Sequence, residues 1–354
     1  MSAARRCIAF FSASPPEAGA SMRSSTPAPC SIWRSPGSCT RRSPITRFAV
    51  THPLATTLQD VDMRTQRCLV LGAGGRLGGH LVAELSRRGW PTRALRRWQS
   101  APPAARLGGV EDAVGDIFDA VSLTQALAGV NHVFYCVAPE PESPGGSKMG
   151  RAVEGIRRTL EAARGAGVDR IVVVSCASTL ARVPPGKLAD ERGHYLPGSG
   201  DDLDLECKYA VEQECYRYFA DGMDIVMVLP TLMVGPGVDL TPFAALDVPD
   251  EQPLNIVDVR QVAFATAQAL TLARSGERYI IGGKNAVAAD VFQGWSPASP
   301  RWLRRDALPR DRAIVQRGQW VSSAKAHHDL DLGAHTAPAE DANEGVLHGE
   351  AVER

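Results

Sequence analysis

No run of about 18 apolar residues occurs in the 354-residue chain, so no membrane-spanning helix is expected. Net charge is also missing: 39 Lys plus Arg offset 39 Asp plus Glu. The chain as a whole therefore offers no electrostatic reason to partner nucleic acid or an anionic membrane. The eight cysteines, at 7, 30, 39, 68, 136, 176, 207 and 215, form no C-x-x-C pair and no Cys/His cluster at zinc spacing. No metal site is expected. Cys68, Cys136 and Cys176 lie in or at the ends of apolar runs, and read as small buried hydrophobes in a reducing compartment. Internal repeats are absent.

Acids are almost missing from the first 62 residues, where Glu17 is the only one before Asp60. This stretch is rich in Ser, Pro, Arg and Ala and has no hydrophobic period, so no packed core is expected there. It reads as an over-extended start, with Met63 as the initiator; the alternative is an organelle transit peptide, which an Arg- and Ser-rich, acid-poor leader resembles. It lacks the apolar segment of a secretory signal. A cytoplasmic location is expected, or an organelle if the leader is genuine.

Hydrophobic residues make up 44% and charged residues 22%, an ordinary globular mix. From Arg67 short apolar runs alternate with amphipathic stretches. Strands are predicted at 68–71, 92–95, 132–136, 171–174, 225–229 and 279–281. Helices are predicted at 77–88, 122–128, 152–164, 205–219 and 259–272. That alternation implies right-handed βαβ units and a doubly wound parallel α/β sheet. Residues 63–235 form the nucleotide-binding part. Residues 236–335 supply a small C-terminal substrate lobe and the closing strand and helix. Periodicity fades beyond Phe292, and the tail 336–354 is expected to be disordered.

Gly72-Ala73-Gly74-Gly75-Arg76-Leu77-Gly78 follows a predicted strand and opens a predicted helix. Gly72 permits the sharp turn, Gly75 a close approach to a pyrophosphate, and Gly78 tight helix–strand packing. The helix then aims unpaired N–H groups and its positive dipole end at the phosphates. A Rossmann dinucleotide site is expected. After the second strand, where an acid would hold the ribose hydroxyls of NAD, stand Arg96 and Arg97. The guanidinium fork suits a 2′-phosphate, so Arg96 favours NADP, with NAD as the alternative. Asp116 is placed to accept a hydrogen bond from the adenine amino group, or belongs to an ordinary strand-end turn.

The order of Gly72-x-x-Gly75-x-x-Gly78, Gly115-Asp116, residues 155–167, residues 229–236 and the closing 276–283 resembles the extended short-chain dehydrogenase/reductases. Within them the chain is most similar to dihydroflavonol reductases and hopanoid-associated sugar epimerases. The resemblance covers roughly residues 64–340. It implies an NAD(P)-dependent oxidoreductase or epimerase/dehydratase acting on a carbonyl or alcohol of a small molecule. It also implies a homodimer built on long helices, for which 205–219 is a candidate. Cofactor contacts are implied at Gly72, Gly74, Gly75, Arg76, Leu77, Gly78, Arg96, Asp116, Ile117, Val137, Ala138, Lys208, Pro230 and Thr231.

In that family a Tyr handles the substrate proton, a Lys four residues on lowers its pKa and binds ribose, and a Ser orients the substrate oxygen. Here Lys208 stands, but no Tyr-x-x-x-Lys exists anywhere. The Tyr position is Asp204, the Ser position Cys176, and the helix Asn falls near Ala152. An ionised Asp204 has no proton to give at pH 7. It reads instead as a helix ion pair with Lys208, or as part of a helix cap. Tyr195, in a Gly/Pro loop, is the candidate stand-in for the phenol; Ser175 or Ser178 is the candidate hydroxyl. Tyr209, one residue past Lys208, should face elsewhere. Catalytic candidates are thus Lys208, Tyr195, Asp204, Cys176 and Ser178. The competing reading is a catalytically silent NAD(P)-binding module.

Overall fold

The computed structural model describes residues 57–98, 100, 107–138, 147–198, 202–236, 238, 243, 246–292 and 312–333. The expectations for residues 1–56, for 293–311 and for the tail from 334 lie outside the described residues. Among the described residues the strands are β1 (Cys68–Leu71), β2 (Thr92–Arg96), β3 (Val110–Val114), β4 (His132–Tyr135), β5 (Arg170–Val174), β6 (Ile225–Pro230), β7 (Leu232–Val234), β8 (Pro253–Asp258), β9 (Arg278–Ile281) and β10 (Lys284–Val287). The helices are α1 (Arg76–Arg87), α2 (Ala120–Leu127), α3 (Lys148–Ala166), α4 (Leu203–Ala220), α5 (Val259–Leu272), α6 (Ala288–Phe292), α7 (Arg312–Arg317) and α8 (Ala324–Asp329).

Seven strands form one parallel sheet in the order β3-β2-β1-β4-β5-β6-β9. The order reverses between β1 and β4, which opens a crevice at their C-terminal ends. Burial on both faces explains the unbroken apolar runs of β1, β5 and β6. Along β1, Cys68 and Val70 face a core shared with α1 and α5, while Leu69 and Leu71 face one shared with α2, α3 and α4. A second, three-stranded sheet runs in the order β10-β8-β7.

Helix ends follow local chemistry. Ser147 caps α3, accepting from the Gly150 amide at 3.1 Å, so the helix begins four residues before the predicted start. It ends on Gly167 at φ +72°. Asp202 caps α4, accepting from the Asp204 amide at 2.7 Å. Asp258 caps α5, which spans the predicted 259–272.

Candidate nucleotide and active site

The turn after β1 is built by backbone crowding. Gly72 has φ +82°, and a Cβ there would sit 2.9 Å from the Cys136 carbonyl oxygen at the end of β4. The two loops at the crevice therefore touch backbone to backbone, which only glycine permits. Gly75 donates to the Gly72 carbonyl at 2.9 Å and stands at the head of α1. A Cβ at Gly78 would run into that same carbonyl oxygen, so α1 rests directly on the turn. The first turn of α1 carries no acid, and its leading amides have no intrahelical acceptor. They face the crevice with the positive end of the helix dipole.

The crevice is a cleft of about 470 Å³ lined by Gly72, Gly74, Gly75, Arg76, Leu77, Gly78, Arg96, Asp116, Ile117, Val137, Ala138, Lys208, Pro230 and Thr231. Every residue for which a cofactor contact is expected lines it. The cradle fits a dinucleotide on two counts. Glycines floor it, two of them (Gly72 and Gly78) where neighbouring backbone leaves no room for a Cβ, and the buried Thr231 Oγ1 has no hydrogen-bond partner among the described residues.

At the opposite end from Arg96 stand Val174, Ser175, Cys176 and Lys208. Lys208 Nζ lies 3.4 Å from the Val174 carbonyl, which anchors the ammonium at the end of β5. Cys176 Sγ is 2.8 Å from Ser178 Oγ and receives the Ser178 amide at 3.4 Å. Ser175 donates its hydroxyl to Glu212 Oε1, which also accepts Thr179 Oγ1 at 2.6 Å, while Arg278 reaches Oε2 at 3.0 Å. Glu212 is fully buried; burial pushes its carboxyl up, with Arg278 pulling it back. With its proton committed to Glu212, Ser175 offers the cleft an acceptor oxygen. Ala152 lines a cavity of about 20 Å³ together with Lys208.

Several expectations are corrected. Tyr195 does not swing in: it is buried, donates to Glu206 at 2.7 Å, and packs edge-on against Tyr209 at 5.7 Å. It does not line the cleft, because Glu206 and the Tyr209 ring satisfy both its polar and its apolar parts. Asp204 is not paired with Lys208. It forms its ion pair with Lys148 at the start of α3, outside the lining of the cleft. The cap of α4 is Asp202, whose other oxygen takes Arg312. Ser178 does not line the cleft: it lines a small neighbouring cavity that shares Thr231 and Ile314 with it, and it contacts the cleft-lining Cys176. Arg96 lies in the cleft, but its fork holds Asp112 of β3, through Nε at 2.9 Å and Nη2 at 2.7 Å.

The sequence reading missed Ser100, Met233 and Ile314 among the lining residues. Ile314 belongs to α7, some 80 residues beyond β7, and nothing local signals its return. Cys136 also lines the cleft; burial pushes its thiol up to about 12. Of the three cysteines expected to be buried, Cys68 and Cys176 are buried free thiols and Cys136 is half-buried; Cys207 and Cys215 are buried free thiols as well. Among the described residues no His, Cys, Asp and Glu group could hold a metal, and no helix is long and apolar enough to cross a membrane.

A parallel sheet with a glycine-floored cleft at its reversal point defines a nicotinamide-dinucleotide-binding protein of the Rossmann type. Residues 72–215 match the NAD(P)H-binding family model. The chain is 29% identical over 295 residues to a putative dihydroflavonol 4-reductase of Synechocystis, covering 73% of this chain and 86% of that one. It is 30% identical over 308 residues to cinnamoyl-CoA reductase 1 of rice, covering 80% and 90%. The solved structure of gox2253 superposes with TM-score 0.67 at 29% identity, covering 80% of this chain and 97% of that one. The chain belongs to the extended short-chain dehydrogenase/reductase family, whose members here are enzymes using a nicotinamide cofactor.

Proposed function

We propose that the protein is an NADP-dependent oxidoreductase acting on a carbonyl or alcohol of a small molecule, through a degenerate proton relay. The observation that carries this reading is Lys208. Its ammonium is fixed by the Val174 carbonyl at the same end of the cleft as Ser175, Cys176 and Thr231. The cofactor, when bound, supplies or accepts the hydride. The protein binds and orients: the glycine turn and the α1 amides hold the diphosphate, and Asp116 accepts at the adenine end. Lys208 serves the nicotinamide ribose. The Thr231 hydroxyl, buried and without a hydrogen-bond partner among the described residues, is placed to donate into the cleft.

No tyrosine is among the described residues that line the cleft. The substrate oxygen is therefore met by Cys176 and Lys208, with Ser175 as an acceptor. Without a phenol, turnover is expected to fall by about 10²–10⁴, the usual contribution of a positioned acid. The same lack of a phenol favours the second reading, a silent NAD(P)-binding module. Direct NADPH titration combined with a cofactor-oxidation screen over ketones, aldehydes and sugar nucleotides separates the two. The oxidoreductase reading expects saturable binding plus slow, substrate-dependent NADPH oxidation that Lys208→Ala abolishes. Binding without oxidation across the whole panel establishes the module instead.

A further inference from the structure

Arg96 stands at the adenosine end of the cleft, together with Arg97 and Ser100. Three of its five N–H groups are engaged. Nε and Nη2 grip the two carboxylate oxygens of Asp112 at 2.9 and 2.7 Å, and Nη1 donates to the Ser100 carbonyl at 3.0 Å. One N–H on each terminal nitrogen has no partner among the described residues. Asp112 does not line the cleft. It sits on edge strand β3, opposite Ala94 of β2, with its side chain 41% exposed. Arg96 thus bridges a carboxylate behind it and the nucleotide cleft in front.

We propose that Asp112 sets the preference between NADP and NAD by competing with the 2′-phosphate for Arg96. This rests on the nucleotide-binding reading above. A 2′-phosphate brings a further charge of about −1.5 to −2 and three acceptor oxygens. It needs the guanidinium that Asp112 already neutralises, and the carboxylate repels it as well. A 2′-hydroxyl suffers neither effect. The fork to Asp112 also keeps Arg96 oriented, which would favour the phosphate. Two terms oppose that one: the attraction of Asp112 for Arg96, and the repulsion between carboxylate and phosphate. Removing the charge while keeping the shape therefore tightens NADPH more than NADH.

The test is Asp112→Asn, with both nucleotides titrated directly by calorimetry or fluorescence at fixed low salt. The affinity ratio of NADPH to NADH should rise about 2- to 5-fold, the size of one partly exposed ion-pair interaction. In an Arg96→Ala background the same substitution should raise the ratio by less, because only the direct repulsion between carboxylate and phosphate remains to be relieved. A ratio that stays put or falls in Asp112→Asn overturns the inference. So does a rise that the loss of Arg96 leaves undiminished. If the unmutated protein binds neither nucleotide, the nucleotide-binding reading itself fails, and that result looks different from an unmoved ratio.

Discussion

At the scale of single residues, partners distant in sequence decide what a side chain does. Tyr195 is held by Glu206, Asp204 by Lys148, and Ser175 by Glu212. The residue four before Lys208, Asp204, was legible in the sequence, because helical spacing alone fixes that position. Such partners were not, since Lys148 lies on another helix and Arg96 meets Asp112 only through strand pairing. His132 shows the same dependence on surroundings. It is 1% exposed at the start of β4, and neither ring nitrogen has a hydrogen-bond partner among the described residues. Burial lowers its pKa, with Arg170 adding to this and Asp169 and Asp224 opposing it. The folded state therefore resists a proton that the unfolded chain accepts below about pH 6.5. Stability is full above that value and is lost as pH falls through it, by up to about 1.4 kcal/mol per pH unit for one proton. In urea unfolding between pH 7 and 5.5, His132→Leu should show a shallower loss than the unmutated protein. Equal slopes would remove His132 from the account.

At the scale of elements, strands buried on both faces announced themselves and exposed ones did not. β1, β5 and β6 are continuous apolar runs, whereas edge strand β3 reads Val-Glu-Asp-Ala-Val and is mostly exposed. Its polar residues hid it, though it carries the Asp112 that restrains Arg96. β8 and β10 belong to the small second sheet, where pairing across about 30 residues replaces local pattern. The glycine turn was legible because its constraint is local. That constraint predicts a contrast between neighbours. Gly78→Ala forces a methyl against the Gly72 carbonyl and should cost about 1–3 kcal/mol, as overpacking does. At Gly79 the nearest atom to an added Cβ is the Ala73 carbonyl oxygen at 3.7 Å, an ordinary contact. Gly79→Ala should leave stability unchanged or raise it by up to about 1 kcal/mol through helix propensity. Thermal unfolding of the two variants checks this; equal losses would contradict the packing of α1 on the turn.

At the scale of the molecule, the reversal of strand order between β1 and β4 gathers the glycine turn, Arg96, Lys208 and Thr231 into one cleft. No single segment contains that site. The outer faces of α3 and α4 carry ion pairs, Arg157 and Arg217 to Glu214 and Arg158 to Glu154, instead of an apolar stripe. The homodimer expected of the family would thus meet a charged face there. The central claim is that this cleft takes a nicotinamide dinucleotide on a floor of bare backbone. Equilibrium titration of NADPH against the purified protein and a Gly75→Trp variant tests it most directly. The account predicts saturable one-to-one binding by the unmutated protein and its loss in a Gly75→Trp variant that is still folded. Binding that survives the tryptophan unchanged, or no saturable binding of either nucleotide to begin with, would contradict it.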